Sequence, residues 1–186
     1  MRISSVAVIG AGTMGAGIAQ VCAQAGWKTN LYDAFPEGLE RGMKNIDAFW
    51  DKGISRGKTT QEQKTEWSSN LFAVSDMETA VKEVDLVIEA VPEIPDLKHK
   101  IFADLGIMTK ESCVLGTNTS SLSIAGIAAA SGRPEKVIGM HFFNPVPIMK
   151  LLELVKHDDC SDDTISIAKE AGESMGKTTI LVSDVP

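Results

Sequence analysis

An α/β fold with a doubly wound, mostly parallel sheet is what this chain predicts, and three observations carry it. Short apolar runs alternate with helical patterns along nearly the whole length. The first run, Val6 to Ile9, meets glycines at 10, 12 and 15 just before a helical stretch. Runs such as Val84-Asp-Leu-Val-Ile88 and Lys136-Val-Ile-Gly-Met140 are short and apolar, as strands covered on both faces should be.

The elements follow in order. A strand predicted over 3–9 leads into Gly10-x-Gly12-x-x-Gly15 and a helix over 13–26. Gly10 allows the turn, Gly12 lets the backbone approach a pyrophosphate, and Gly15 lets helix and strand pack closely. Phosphates are favoured on the N–H groups of such a helix N-terminus. A second strand, 28–32, ends at Asp33. An acid about 20 residues beyond the glycines is the expected partner of an adenosine ribose hydroxyl. Its charge repels a 2′-phosphate, and Ala34-Phe35-Pro36 brings no arginine, so NAD is expected over NADP. This is the Rossmann-type pattern. Residues 37–67 form a charged, amphipathic insertion, with helices predicted over 37–56 and 60–67 and with Phe49 and Trp50 on the first. It is longer than a mononucleotide unit needs. Either it covers a ligand or carries a subdomain, or it stands as an exposed helical hairpin. Further strands are predicted over 70–74, 84–90, 113–116, 136–140, 149–155 and 178–182, with helices over 96–108, 122–130 and 162–175. Pro36, Pro95 and Pro134 fall where an element begins or a loop runs. One dinucleotide-binding domain over 1–186 accounts for the length.

Composition narrows the partners. A net charge of −7 without a Lys/Arg cluster argues against nucleic acid. Cys22, Cys113 and Cys160 are odd in number and far apart, which supports neither a disulfide framework nor a zinc site and fits a reducing compartment. Residues 3–25 are apolar but interrupted by Ser4, Ser5, Gln20, Gln24 and several glycines. No targeting or transmembrane segment is expected there, and the cytoplasm is the expected location.

The chemistry concentrates in Gly139 to Glu153. His141 follows the 136–140 strand, at the C-terminal sheet edge where open α/β sheets bind ligands. Glu153 lies in another apolar strand, among Leu151, Leu152, Leu154 and Val155. A carboxylate there needs a partner, because burying it alone is costly. Paired, imidazole and carboxylate make a general base with a fixed tautomer. The alternative is a strand-edge histidine beside an exposed glutamate. Ser120 and Ser121 read as a helix N-cap before Leu122, and Asn118 and Asn144 as turn residues. Gly176-Lys-Thr178 and Gly57-Lys-Thr59 echo a phosphate loop, but Ala171 and Lys52 stand where its first glycine is needed. His157-Asp-Asp159 reads as a charged turn rather than a metal set, and His99 as an exposed or capping residue. Met43, Met77 and Met175 read as ordinary packing.

From Val6 to Pro186 the chain closely resembles the NAD-binding domain of the L-3-hydroxyacyl-CoA dehydrogenase family. The matching pieces are Gly10-Ala-Gly-Thr-Met-Gly-Ala-Gly-Ile-Ala-Gln20, Asp33, Ile88-Glu-Ala-Val-Pro-Glu93 with Lys98, Asn118-Thr-Ser-Ser-Leu122, and His141-Phe-Phe-Asn-Pro-Val-Pro147 with Lys150 and Glu153. The resemblance implies reversible oxidation of the 3-hydroxyl of an acyl-CoA, of fatty-acid β-oxidation type, with NAD as cofactor. It implies that His141 takes the hydroxyl proton, Glu153 holds the ring, and Ser120 bonds the reacting oxygen beside the cofactor. It assigns Gly10, Gly12, Thr13, Met14, Gly15, Asp33, Glu93, Lys98, Asn118, Ser120 and Asn144 to the cofactor site. Two departures stand out. Where the family's insertion carries a serine and a lysine for the CoA nucleotide, this chain has Phe49 and Arg56. The family's helical C-terminal domain, which supplies an active-site asparagine and most of a homodimer interface, is absent from these residues. The fragment is therefore expected to bind NAD and turn over weakly. A non-CoA hydroxy-acid substrate, a catalytically silent dinucleotide module, and one piece of a larger multifunctional polypeptide are the alternatives.

Overall fold

The computed structural model describes residues 3–184. Its strands are β1 Ser5–Ile9, β2 Lys28–Tyr32, β3 Leu71–Ala73, β4 Leu86–Glu89, β5 Val114–Thr117, β6 Val137–Phe142, β7 Leu151–Lys156 and β8 Thr178–Ser183. The helices are α1 Thr13–Gln24, α2 Pro36–Ser55, α3 Gln61–Ser69, α4 Met77–Val81, α5 Pro95–Met108, α6 Ile124–Ser131 and α7 Asp162–Ser174. The strands form one sheet in the order β3-β2-β1-β4-β5-β6-β7-β8. Every neighbouring pair is parallel except β6 and β7, which are antiparallel. The winding reverses between β1 and β4, and a crevice at such a switch point is where doubly wound sheets bind ligands.

Both faces of the central strands are covered, so every residue of β4 and β5 is buried. One apolar core lies under α1, α2 and α7 and includes Ile18, Cys22, Ile46, Trp50, Met140 and Leu154. The other lies under α4, α5 and α6 and includes Ile9, Val81, Val87, Phe102, Leu105 and Leu115.

The insertion is a helical hairpin docked on the domain's own first helix. Leu39, Gly42, Ile46 and Trp50 are the buried face of α2. The Trp50 indole N–H donates to Gln24 Oε1 at 2.9 Å, and its ring lies 5.8 Å from that of Trp67 on α3. Fully burying such side chains contributes about 1.5–3 kcal/mol each, which is what holds α2 in place. No residue of α3 is buried, and Thr60 and Gln63 close its start as a capping box. Of the two expectations for 37–67, the exposed hairpin describes α3, while α2 packs on α1.

Several boundaries differ from the sequence expectation. Strand β6 continues through His141 and Phe142, because its antiparallel ladder with β7 adds partners past the apolar run. Helix α6 begins at Ile124 with Ser123 as its N-cap, accepting from Gly126 N, so neither Ser120 nor Ser121 is the cap. Helix α4 was not expected from the sequence. Five residues are too few for a periodic signal, and only the cap at Asp76 marks its start. Among the described residues no helix is long and apolar enough to cross a membrane.

Candidate active site

A cleft of about 910 Å³ opens at the C-terminal ends of β1, β2, β4, β5 and β6. Its first wall is the glycine turn. Gly10 has a φ of +104°, and a Cβ there would lie 2.7 Å from the Ala90 carbonyl oxygen. A Cβ on Gly15 would lie 1.7 Å from the Gly10 carbonyl oxygen, so α1 meets the strand with no side chain between them. Gly12 has open space where its Cβ would be, and no side chain caps α1. The first N–H groups of the helix therefore face the cleft beside Thr13 and Met14, which also line it. That arrangement fits a pyrophosphate.

Asp33 lines the next stretch. Its Oδ2 accepts from Ala11 N and its Oδ1 from Phe35 N, each at 2.8 Å. These bonds fix the carboxylate at the end of β2 and leave it lone pairs for a diol. Beyond it Phe35, Leu97 and Ile101 give the cleft an apolar end. Met77 packs against the apolar core under α4 and also lines the cleft.

Glu93 lines the cleft too, but Lys98 does not. Lys98 is fully buried beneath it. Its ammonium lies 2.8 Å from Glu93 Oε1 and 3.0 Å from Glu89 Oε2, and it donates to the Asn118 carbonyl oxygen at 3.2 Å. These three partners use its three protons. Lys98 thus braces the cleft wall from below, through Glu93 and Asn118. Glu89 was missed by the sequence reasoning. It is fully buried on β4, and it accepts from Thr117 Oγ1 at 2.6 Å and from Val91 N at 2.7 Å. Burial holds its carboxyl above the ordinary glutamate value, offset in part by the charge of Lys98 and the bond from Thr117. Glu93 goes the other way. Burial alone would raise it, but the bonds from Lys98, Thr119 and Ser121 together bring it below the usual value. Its Oε2 accepts from Thr119 Oγ1 at 2.7 Å and from Ser121 Oγ at 3.0 Å. The sequence signal for Glu89 is a carboxylate inside a doubly buried strand with a lysine nine residues on.

The far wall holds His141 and Glu153. Asn118 Oδ1 accepts from Phe142 N at 3.0 Å, tying the end of β5 to the strand of His141. His141 and Glu153 are direct partners across β6 and β7. His141 Nδ1 stands 4.0 Å from Glu153 Oε1, longer than a hydrogen bond, and such contacts in ligand-free sites often tighten in the complex. Both side chains are part-exposed, at 23% and 29%. The desolvation argument for their pairing therefore does not apply. Leu152 and Leu154 turn to the buried face of β7, while Glu153 faces the open one. Cross-strand register, not burial, brings the pair together. Phe143 supports the imidazole at a ring distance of 4.5 Å.

Ser120 is exposed and lines both the large cleft and a neighbouring cavity of about 270 Å³. His141 lines both as well, and Glu153 lines the smaller one. Ser120 and His141 thus form the partition between a dinucleotide-sized cleft and a second space. Asn144 lies in the exposed loop after β6 and does not line the large cleft. Away from the site, His157 is buried, with Nε2 bonded to the Val137 carbonyl oxygen and Nδ1 accepting from Asp159 N. Cys22 and Cys113 are buried thiols, and burial pushes Cys113 up to about 12.

A switch-point cleft, a glycine turn on an uncapped helix and an acid after β2 define a dinucleotide-binding domain of dehydrogenase type. The family model described as "3-hydroxyacyl-CoA dehydrogenase, NAD binding domain" matches residues 5–185, and the chain belongs to that family. NAD is its cofactor. A probable 3-hydroxybutyryl-CoA dehydrogenase of Deinococcus radiodurans is 41% identical over 96% of this chain and 64% of its own length. The crystal structure of FadB2 of M. tuberculosis superposes with a TM-score of 0.96 at 35% identity, covering 100% of this chain and 65% of that one. A diketoreductase acting on dicarbonyl compounds superposes with a TM-score of 0.93 at 26% identity, covering 100% of this chain and 66% of that one. The chain spans just under two thirds of the length of such relatives.

Proposed function

We propose that these residues form the cofactor half of an NAD-dependent 3-hydroxyacyl-CoA dehydrogenase, which oxidises an L-3-hydroxyacyl-CoA to the 3-oxoacyl-CoA and runs in reverse. The observation that carries this is the His141–Glu153 register pair standing with Ser120 at the partition between cleft and cavity. Bound NAD would supply the oxidant, accepting the hydride that leaves the substrate C3. Thr13, Met14 and Gly12 would hold its phosphates and Asp33 its adenosine ribose, with Glu93 and Asn118 forming the wall toward His141. The His141 imidazole takes the proton of the substrate 3-hydroxyl, and the Glu153 carboxylate stabilises the imidazolium that forms. Ser120 donates to the same oxygen and keeps it within reach of the ring.

The acyl group is a short one on this reading, in line with the hydroxybutyryl relative. A second reading keeps the chemistry and changes the handle. Phe49 is 39% exposed on α2 and presents no hydroxyl to a CoA nucleotide, and a diketoreductase shares the fold. The working protein is a homodimer that includes a further helical domain, placed in the cytoplasm, with three unpaired cysteines in support.

The test is oxidation of NADH by the full-length protein with acetoacetyl-CoA, longer 3-oxoacyl-CoA esters and free oxo acids. Turnover highest with acetoacetyl-CoA supports the proposal, and turnover with free oxo acids alone favours the second reading. The 186-residue chain by itself is expected to bind NAD and turn over weakly. Full activity from it would refute the need for a second half.

A further inference from the structure

We propose that Lys177 is a positioning residue for the His141–Glu153 pair, its ammonium clasping the loop that joins β6 to β7. The inference rests on the dehydrogenase reading of that pair. Lys177 sits in the Gly176-Lys-Thr178 triplet that echoes a phosphate loop. The structure gives the triplet another use. Gly176, with a φ of +79°, ends α7 in the left-handed region, and the lysine then turns inward ahead of β8.

Lys177 is only 8% exposed. Its Nζ donates to the Val146 carbonyl oxygen and, at 2.7 Å, to that of Met149. No carboxylate pairs with it among the described residues, and burial pulls its amine below the ordinary lysine value. An ammonium placed this way stands on those two carbonyls alone, because its burial has no other compensation. The two carbonyls belong to residues 143–150, which carry no strand or helix of their own. Within the loop, Ile148 N and Met149 N both donate to the Pro145 carbonyl oxygen. On its far side Val146 is buried against α1, where a Cβ on Gly17 would lie 2.9 Å from Val146 Cβ. The loop is therefore wedged between the dinucleotide helix and Lys177.

The same loop links the strand of His141 to the strand of Glu153 and carries Asn144. Its seating fixes how the hairpin meets α1, and so how the pair stands against the cofactor cleft. Loss of the clasp leaves two carbonyls without their donor and frees the loop to shift. A displacement near 1 Å in a catalytic group costs up to roughly 10²-fold in rate.

The experiment compares wild type, Lys177→Met and Lys177→Gln in the full-length protein. The readouts are kcat for acetoacetyl-CoA reduction, NADH affinity, and amide hydrogen exchange at Ile148 and Met149. Lys177→Met is expected to lose about 10- to 100-fold in kcat, Lys177→Gln less, since its amide still donates, with NADH affinity unchanged in both. The loop amides exchange faster in both variants, while those of β1 do not. Wild-type kcat in both variants, or kcat and NADH binding lost in parallel, overturns the proposal. If Lys177→Met does not fold, Lys177→Gln decides by the same criteria. A wild type inactive on every 3-oxoacyl-CoA would overturn the dehydrogenase reading instead. The loop exchange would then decide the clasp, and unchanged exchange overturns it.

Discussion

The two walls of the cleft are built on different principles. The cofactor wall, over β1, β4 and β5, rests on buried charge: Lys98 and Glu89 are fully buried, and each polar atom of that pair has a partner. The catalytic wall, over β6 to β8, is half open. Its histidine and glutamate are part-exposed and 4.0 Å apart, and Ile180, in register with Glu153, is 43% exposed. A site for a constant ligand can be closed and rigid before the ligand arrives. On the proposed function, the half-open wall is the one that meets the acyl substrate. On the same reading, the difference also divides labour, with cofactor affinity on one wall and proton transfer on the other.

The sharpest way to break this comparison is to cut the buried network. Lys98→Met strands two carboxylates, one of them fully buried, and removing one partner of such a pair costs about 3–5 kcal/mol of stability. Urea denaturation of the full-length protein would show it as a lowered midpoint. Loss within the range of a surface pair, roughly 0–1 kcal/mol, would mean that the cofactor wall is no more rigid than the catalytic one. Next in size is Asp33→Asn. The wild type should prefer NAD over NADP by at least about tenfold, or 1.4 kcal/mol, and the variant should lose most of that preference in paired titrations. Equal curves for the two cofactors in the wild type would remove Asp33 as the discriminator.

The smallest expected effect is on pH. Asp85, just ahead of β4 and at the opposite end of the sheet from the cleft, is bonded by Lys110 Nζ and by the backbone N–H groups of Ser4 and Ser5. Burial alone would raise its carboxyl, but these bonds outweigh it and hold the group below the ordinary aspartate value. The folded state then binds the proton less tightly than the unfolded chain. The contribution is complete above about pH 4 and is lost as pH falls from there through the folded value. Asp85→Asn should flatten the acid limb of the stability profile by about 1 kcal/mol, the margin between charged and neutral hydrogen bonds. An unchanged limb would place acid sensitivity elsewhere.

Much of the cofactor wall was legible in the chain because its signals are local. Gly10, Gly12 and Gly15 state a backbone geometry, and Asp33 follows at a fixed distance. The doubly wound, mostly parallel sheet follows from strand–helix alternation. Glu89 and the clasp of Lys177 were not legible, because their partners lie in other strands and loops. A buried lysine and an exposed one are the same letter, and only the packing tells them apart. His141 and Glu153 fall between these cases. Their types suggested a pair, but the stated reason, desolvation of Glu153, was the wrong one. Antiparallel register between β6 and β7 does the work. Helix α4 escaped for a simpler reason, since one turn leaves no period to see.

The most direct test is single-turnover oxidation of bound NADH by acetoacetyl-CoA in the full-length protein, for wild type and His141→Ala. The account predicts a rate lower by roughly 10²–10⁴, the span of general acid–base catalysis, with NADH affinity unchanged. Equal rates in the two proteins would contradict it.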